Sequence, residues 1–221
     1  MRSWLDPYFA VPEKPPFPFG RSPFRQRGSV YLSNFEFWER IVPGGVAAVR
    51  AQVNDPAMDR FVGQRFASSD FYDALPSAFL SVAAARVRKV PLYQHRREHG
   101  VFLAERSFSG FSSILLRVLP TEVVASWLPR LSVSYHEFGT VETSRAGPGV
   151  IRGQRRGMPR MFLHIFGTTA TEVIEQILAR SGAEAPRVHV LEPEPDGGVS
   201  DYEVFRVPFE VRWAAERAKA G

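Results

Sequence analysis

The residues of this chain whose types and spacing could do chemistry stand together in the segment PLYQHRREHG, residues 91–100. His95 and His99 are four residues apart, so on a helix they share one face, and Glu98 lies beside the second histidine. The order His-x-x-Glu-His is the inverted zincin pattern, in which histidines bind zinc and a carboxylate takes a proton from the bound water. The segment therefore raises the hypothesis of a metal-dependent hydrolase.

A catalytic zinc site also needs a third protein ligand, and nothing in the sequence singles one out. Arg96 and Arg97 lie in the same helical turn, and their charge opposes a dication. Glu98 suits ion pairs on a helix surface equally well. We therefore expect a solvated helical face and no catalysis, and His95 and His99 remain the candidate ligands if a metal binds.

A second candidate site is the basic segment Arg152-Gly-Gln-Arg155-Arg156-Gly-Met-Pro-Arg160. The pattern predicts a loop that joins a strand to the N-terminus of a long helix, where free N–H groups favour anions. Arginine forks bind phosphates and carboxylates, so the loop could hold a small anion or an acidic protein surface. The alternative is a solvated turn. Because no reader motif or aromatic stacking platform accompanies the charge, nucleic-acid binding is not expected.

Residues 1–27 form a segment rich in proline and phenylalanine, which predicts an extended arm without helix or sheet. Its aromatic residues are too many for a solvated linker. They pack either on the body of the same chain or on a partner. We take Phe17, Phe19 and Phe24 as the candidate partner-binding residues, with the prolines limiting the entropy lost when the arm orders.

Composition bounds the remaining possibilities. The chain has 221 residues, a formal charge of +5 and no cysteine. Disulfides, thiolate metal sites and cysteine nucleophiles are therefore excluded, and a reducing cytoplasm is the expected location. No apolar run reaches the length of a membrane span, and the N-terminus lacks the features of a secretory signal. The 18 phenylalanines either fill an aromatic core or line an apolar pocket between the helices and the sheet.

The order of elements predicts an α+β fold, in which a helical N-terminal half packs on an antiparallel sheet built by a β-β-α-β-β C-terminal block. A strand is predicted over residues 28–34, followed by helices at about 35–41, 55–64, 75–89, 91–107, 108–119 and 120–128. Strands follow residue 129, a long helix runs from Pro159 to Gly182, and a final hairpin turns at Asp196-Gly197-Gly198. Residues 28–214 are expected to form one domain, with a polar tail at 215–221.

This sequence resembles an uncharacterised paralogous family expanded in myxobacteria, a domain of unknown function. The resemblance lies in RGSVYLSNFEFWERI, SSDFYDALPSAFL, FSGFSSILLRVLPTEVVASWLPRLSVSYHEFGTVE and FLHIFGTTATEVIEQILARSGAEAPRVHV, within residues 27–213. The same rhythm is similar to the heme–nitric oxide binding fold and to small-ligand domains of the four-vinyl reductase type, which implies helices packed on an antiparallel sheet. The heme-binding relatives need a proximal histidine and a Tyr-x-Ser-x-Arg clamp, and this sequence has no such clamp.

Together these patterns favour a cytoplasmic, non-enzymatic regulatory or adaptor domain without a cofactor. We expect it to bind a protein partner, a second copy of itself, or a small apolar or anionic ligand. The competing hypotheses are the metal-dependent hydrolase at His95, Glu98 and His99 and an anion or nucleic-acid site in the arginine loop 152–160.

Overall fold

A computed structural model of the chain describes residues 12, 14–107, 119–127 and 134–214. The first half is helical: α1 (Gly28–Ile41), α2 (Gly45–Val53), α3 (Pro56–Val62), α4 (Leu75–Arg88) and α5 (Leu92–Ser107), followed by α6 (Thr121–Ser126). Asp55 caps α3 as expected, because its carboxylate accepts from the backbone N–H groups of Ala57 and Met58. The helix predicted at residues 108–119 and the tail at 215–221 lie outside the described part of the chain, apart from Leu119.

The strand predicted over residues 28–34 is wrong, because α1 begins at Gly28. The N–H of Gly28 donates to the carbonyl of Asp70 at 2.7 Å, and a Cβ there would lie 2.0 Å from the carbonyl oxygen of Ala67. Tyr31 is fully buried, and its hydroxyl donates to the carbonyl of Asp73. These tertiary contacts outweigh the strand propensity of the β-branched and aromatic residues in this stretch.

The sheet of the second half is antiparallel, as predicted, but three strands follow the long helix where the predicted β-β-α-β-β block has two. Its strands are β3 (Thr140–Gly147), β4 (Val150–Pro159), β5 (Glu184–Val190), β6 (Glu194–Val199) and β7 (Tyr202–Ala214). Their order is β3-β4-β7-β5, and β6 also pairs with β7. The last hairpin turns at Ser200 and Asp201, which both have positive φ, and not at residues 196–198. Gly197 instead lies in a bulge of β6.

The long helix predicted from Pro159 to Gly182 is present but changes its winding along its length. A 3-10 turn (Arg160–Phe162) leads into α7 (Leu163–Ile165), a π-helical segment (Phe166–Ala170) and α8 (Thr171–Arg180). We call Phe166–Ala170 the π segment. This helical segment lies between the N-terminal helices and the sheet, and its turns are wider than α-helical turns in the π segment.

The arm carries a short strand, β1 (Arg25–Arg27), which pairs with β2 (Phe71–Asp73), so residues 25–27 depart from the predicted irregular structure. The side chain of Phe24 is 1% exposed, and its ring centroid lies 5.7 Å from that of Phe138. The ring centroids of Phe17 and Tyr202 are 5.9 Å apart. The ring of Phe19 packs edge-on against the ring of Phe79, with the centroids 5.5 Å apart. All three candidate partner-binding side chains thus pack on their own chain, so a role in partner binding requires them to leave these contacts.

Two aromatic clusters form the core of the described residues. One lies among α1 to α5, and the other lies between the sheet and the helical segment 160–180. Phe79 on α4 packs against both, which joins the two halves. The predicted α+β architecture, with helices packed on an antiparallel sheet, is confirmed. In the described part of the chain, no helix combines the length and hydropathy that a membrane crossing requires.

Candidate functional site: a buried basic cluster on helix α5

Helix α5 buries the residues that the sequence led us to place in solvent. His95 is 1% exposed, Arg96 2% and His99 4%, so the prediction of a solvated face is wrong. The reason is that α5 packs against α1 and α4 on one side and the π segment and α8 on the other. Gly100 permits this close approach, because a Cβ there would lie 2.8 Å from the carbonyl oxygen of Thr169. We call Arg88, His95, Arg96 and His99 the basic cluster.

His95 has polar contacts at both ring nitrogens. The indole Nε1 of Trp38 lies 3.3 Å from its Nε2, and a guanidinium nitrogen of Arg88 lies 3.2 Å from its Nδ1. Burial, together with the charges of Arg96 and Arg88, lowers the pKa of His95 to about 3. The imidazole is therefore neutral at physiological pH.

His99 lies one turn further along α5, and its ring stacks on Phe37 with the centroids 4.8 Å apart. Its Nε2 is buried and has no hydrogen-bond partner. Burial lowers the pKa of His99 well below its ordinary value, and the Arg96 charge lowers it further. His99 thus offers a neutral, unused nitrogen beside a buried cation.

Arg96 is the most unusual member of the cluster. Its Nε and Nη2 atoms are buried and have no hydrogen-bond partner, and burial lowers the pKa of its guanidinium to about 9. The next residue, Arg97, uses the same two nitrogens to donate to Oε2 of Glu172, both at 3.1 Å. Most buried polar groups are hydrogen-bonded, so these two nitrogens are an exception that points to a possible ligand.

The inverted zincin pattern is not assembled into a metal site here. Glu98 accepts from Arg88 at 2.7 Å and from Gln94 at 2.9 Å, so its carboxylate is engaged on the helix surface. Over the described residues, no three His, Asp or Glu side chains converge as metal ligands. The charges of Arg88 and Arg96 beside His95 further oppose a dication.

The basic segment 152–160 is a strand and not a loop, because β4 runs through Pro159. Its arginines are therefore spread over both faces of the sheet. Arg152 pairs with Glu210, Arg156 with Asp196 and Arg160 with Glu203, whereas Arg155 is 5% exposed and faces the rings of Phe138 and Phe166. The four side chains do not converge on one point, and their anion-binding role stays a prediction.

Arg152 also lines an open groove of about 430 Å³ on the solvent face of the sheet, with Glu142, Ser144 and Gln154 among the other lining residues. Gln154 donates to Glu142 at 2.8 Å, and Arg152 to Glu210 at 2.9 Å. The charged groups of this groove, Arg152 and Glu142, thus already have hydrogen-bond partners. The basic cluster on α5, which has unsatisfied groups, is the stronger candidate for a ligand site.

Solved structures with the same arrangement of helices and sheet identify the architecture. An H-NOX domain studied for the function of heme distortion matches with a TM-score of 0.59 and 10% sequence identity, over 85% of this chain and 94% of that one. A mutant of the T. tengcongensis H-NOX gives 0.59 and 10%, over 85% and 97%. The chain has an H-NOX-like fold. An oxygen-binding H-NOX domain related to soluble guanylate cyclases, solved as its oxygen complex, gives 0.57 and 9%, over 85% and 94%.

No family model matches the chain. No curated protein matches it either. The resemblance to the myxobacterial family therefore stays a prediction, while the similarity to the heme–nitric oxide binding fold is confirmed at the level of the fold.

The H-NOX-like fold raises the question of heme, and all five histidines lie in the described residues. His95 has both nitrogens in contact with donors, and His99 is stacked on Phe37 beside the Arg96 charge. The remaining three are His136, which packs on Phe138 at 4.9 Å, His164, which is 0% exposed, and His189, which is exposed on the edge strand β5. With no Tyr-x-Ser-x-Arg sequence to hold propionates, these residues do not fit a heme.

Sequence reasoning found the two histidines of the cluster, but it named Arg96 only as a charge that opposes a metal ion, and it missed Arg88 and the contact with Trp38. The polar residues of α5 gave it the composition of a solvated helix, which concealed the burial. One signal was available: Gly100 lies inside a helix, where glycine is unfavourable unless a neighbour must approach closely. A glycine there indicates that another part of the chain approaches α5 closely at this position.

Proposed function

We propose that this chain is a non-enzymatic regulatory domain that binds a small ligand within an H-NOX-like fold without using heme. The observation that carries the proposal is the basic cluster, where two buried guanidinium nitrogens of Arg96 and Nε2 of His99 have no hydrogen-bond partner. A charge left in this state costs several kcal/mol of folding free energy. A ligand that accepts hydrogen bonds from these buried groups would therefore stabilise the folded domain.

The regulatory part of the proposal concerns the arm. Residues 14–27 lie over both halves of the fold, and Asp73 holds them through the backbone N–H groups of Gly20 and Ser22. Ligand binding beside α5 would change the packing of α1 and α4, on which Phe19 rests through Phe79. Release of Phe17 and Phe19 would then expose an apolar, proline-rich segment to a protein partner.

The decisive test of the heme-free part is a heme titration of the full chain, followed by absorption spectroscopy. We expect no stoichiometric complex and no absorption band that depends on a histidine ligand. A one-to-one complex whose Soret band is lost in His99→Ala or His164→Ala, but kept in His189→Ala, would overturn it. His189 is the matched control, because its side chain is exposed at the sheet edge.

A further inference from the structure

We propose that Arg96 and His99 form a buried binding site for a small carboxylate. This inference rests on the proposed function and names the ligand class of that domain. It starts from the identity of the two unpartnered nitrogens of Arg96, which are Nε and Nη2. These two N–H groups lie side by side on one edge of the guanidinium and form the fork that grips a carboxylate.

Arg97 shows how a fork of this kind is satisfied. Its Nε and Nη2 both donate to the Glu172 carboxylate, and its side chain is largely exposed. Arg96 is far more buried and needs an acceptor more, because water cannot replace one. An acidic side chain is the usual solution, and among the described residues none lies within ion-pairing distance of Arg96.

The nearby carboxylates are already engaged. Glu98 accepts from Arg88 and Gln94, and Glu172 accepts from Arg97 and Gln176. Neither can turn to Arg96 without leaving another cation unpaired. A soluble carboxylate would satisfy the fork of Arg96 without disturbing either pair.

The surroundings of the fork set the size and the polarity of the ligand. His99 is on the next turn of α5, at i+3 from Arg96, and its Nε2 can donate a second hydrogen bond when the proton is on that nitrogen. The rings of Phe37 and Phe102 lie against His99, with centroids 4.8 Å and 6.4 Å from it. Since Arg96 and His99 are nearly fully enclosed, the ligand that we propose is a small carboxylate such as acetate.

The backbone of the site is held in place by the helix that joins the two halves. The hydroxyl of Thr169 in the π segment donates to the carbonyl of Arg96 at 2.9 Å. Widened helical turns of this kind occur often at functional sites. Thr169 is therefore a positioning residue, and it links carboxylate binding to the contact between α5 and the sheet half.

The test is thermal unfolding of the full chain in sodium acetate against sodium chloride at equal ionic strength and pH 7. We expect acetate to raise the unfolding temperature in a saturable way, by about 3 °C at ten times its dissociation constant. Arg96→Met should lower the acetate affinity at least about tenfold, since charged hydrogen bonds are lost. Arg106→Met, the same change at an exposed position of α5, should keep the response.

A second measurement covers the case in which Arg96→Met fails to fold. In ¹⁵N NMR spectra of the wild-type chain, we expect one protected arginine Nε–H resonance to shift as acetate is added. An equal thermal response in chloride, an undiminished acetate response in Arg96→Met, or the absence of any Nε–H shift at saturating acetate would each overturn the inference. Heme binding without an effect on acetate would overturn the proposed heme-free function and leave the carboxylate site standing.

Discussion

The indole Nε1 of Trp38 lies 3.3 Å from Nε2 of His95, in the interior of the helical half. Trp38 can only donate, and so can Arg88 at the other ring nitrogen. A neutral imidazole has one acceptor nitrogen, so only one of the two contacts is a hydrogen bond in either tautomer. A protonated imidazole has none, and it would face two donors and a positive charge.

This arrangement predicts that acid destabilises the protein through His95. The pKa of His95 is about 3 in the folded chain and ordinarily 6.5, so the unfolded chain binds the extra proton first. The stability that neutral His95 contributes is fully present above pH 6.5 and is lost progressively as the pH falls towards 3. Between pH 7.5 and 5.0 we expect a loss of about 2 kcal/mol from this residue. Urea unfolding at the two pH values measures it.

The matched variants for this test are His95→Gln and His189→Gln. His95→Gln keeps an acceptor for Trp38 but cannot take up a proton, so it should reduce the loss of stability on acidification. His189→Gln removes an exposed histidine and should leave the loss unchanged. An identical pH dependence in all three proteins would show that His95 is not protected from protonation.

Arg96→Met and Arg97→Met should change stability in opposite directions in chloride buffer. Arg96→Met removes a buried charge, two of whose nitrogens have no hydrogen-bond partner, so we expect the free energy of unfolding to rise by about 1–4 kcal/mol. Arg97→Met leaves the buried Glu172 carboxylate without its cation. We expect this change to lower the free energy of unfolding by about 1–2 kcal/mol. Urea unfolding of both variants decides this. A destabilised Arg96→Met protein would mean that the guanidinium already has a partner.

Gly100→Ala should destabilise the protein although alanine is the better helix former. The added Cβ would lie 2.7 Å from Cβ of Glu172 and 2.8 Å from the carbonyl oxygen of Thr169, so α5 and the π segment must separate. We expect a net loss of about 1–3 kcal/mol by thermal or urea unfolding. Gly147→Ala is the control, because a Cβ there meets nothing within 4 Å. Equal effects at the two sites would contradict the close approach.

Asp73→Ala should release the arm. The Asp73 carboxylate accepts from the N–H groups of Gly20, Ser22 and Leu75 and from the hydroxyl of Ser22, and it is 4% exposed. Losing these bonds should cost about 3 kcal/mol or more. Proteolysis within residues 14–24 should become faster. Asp59→Ala breaks an exposed ion pair with Arg50, and it should neither lower the stability comparably nor speed proteolysis of the arm. If the arm stays protected in Asp73→Ala, the aromatic contacts alone hold it.

The sequence predicted elements whose signals are local. Asp55-Pro56 marked the start of α3, and alternation with glycine punctuation marked the antiparallel strands. Gly28 shows what local signals miss, because its helical start depends on the backbone of residues 67–70. The burial of Arg96 likewise depends on a segment that is distant in the sequence. Gly100 indicates a close approach to α5, but nothing in the local sequence shows that the covering segment arrives 73 residues later in the chain, through Thr169.

Strand β7 follows every other described strand in the chain, yet it lies at the centre of the sheet. It pairs with β4 on one side and with β5 and β6 on the other, and Val150 is in register with Arg212. A ribosome therefore completes all the other described strands before the one that joins them is made. Until then β4 and β5 each expose an unpaired edge, a condition that invites pairing with other chains. Pairing of β7 with β4 and β5 covers these edges and so removes sites at which the nascent chain could aggregate.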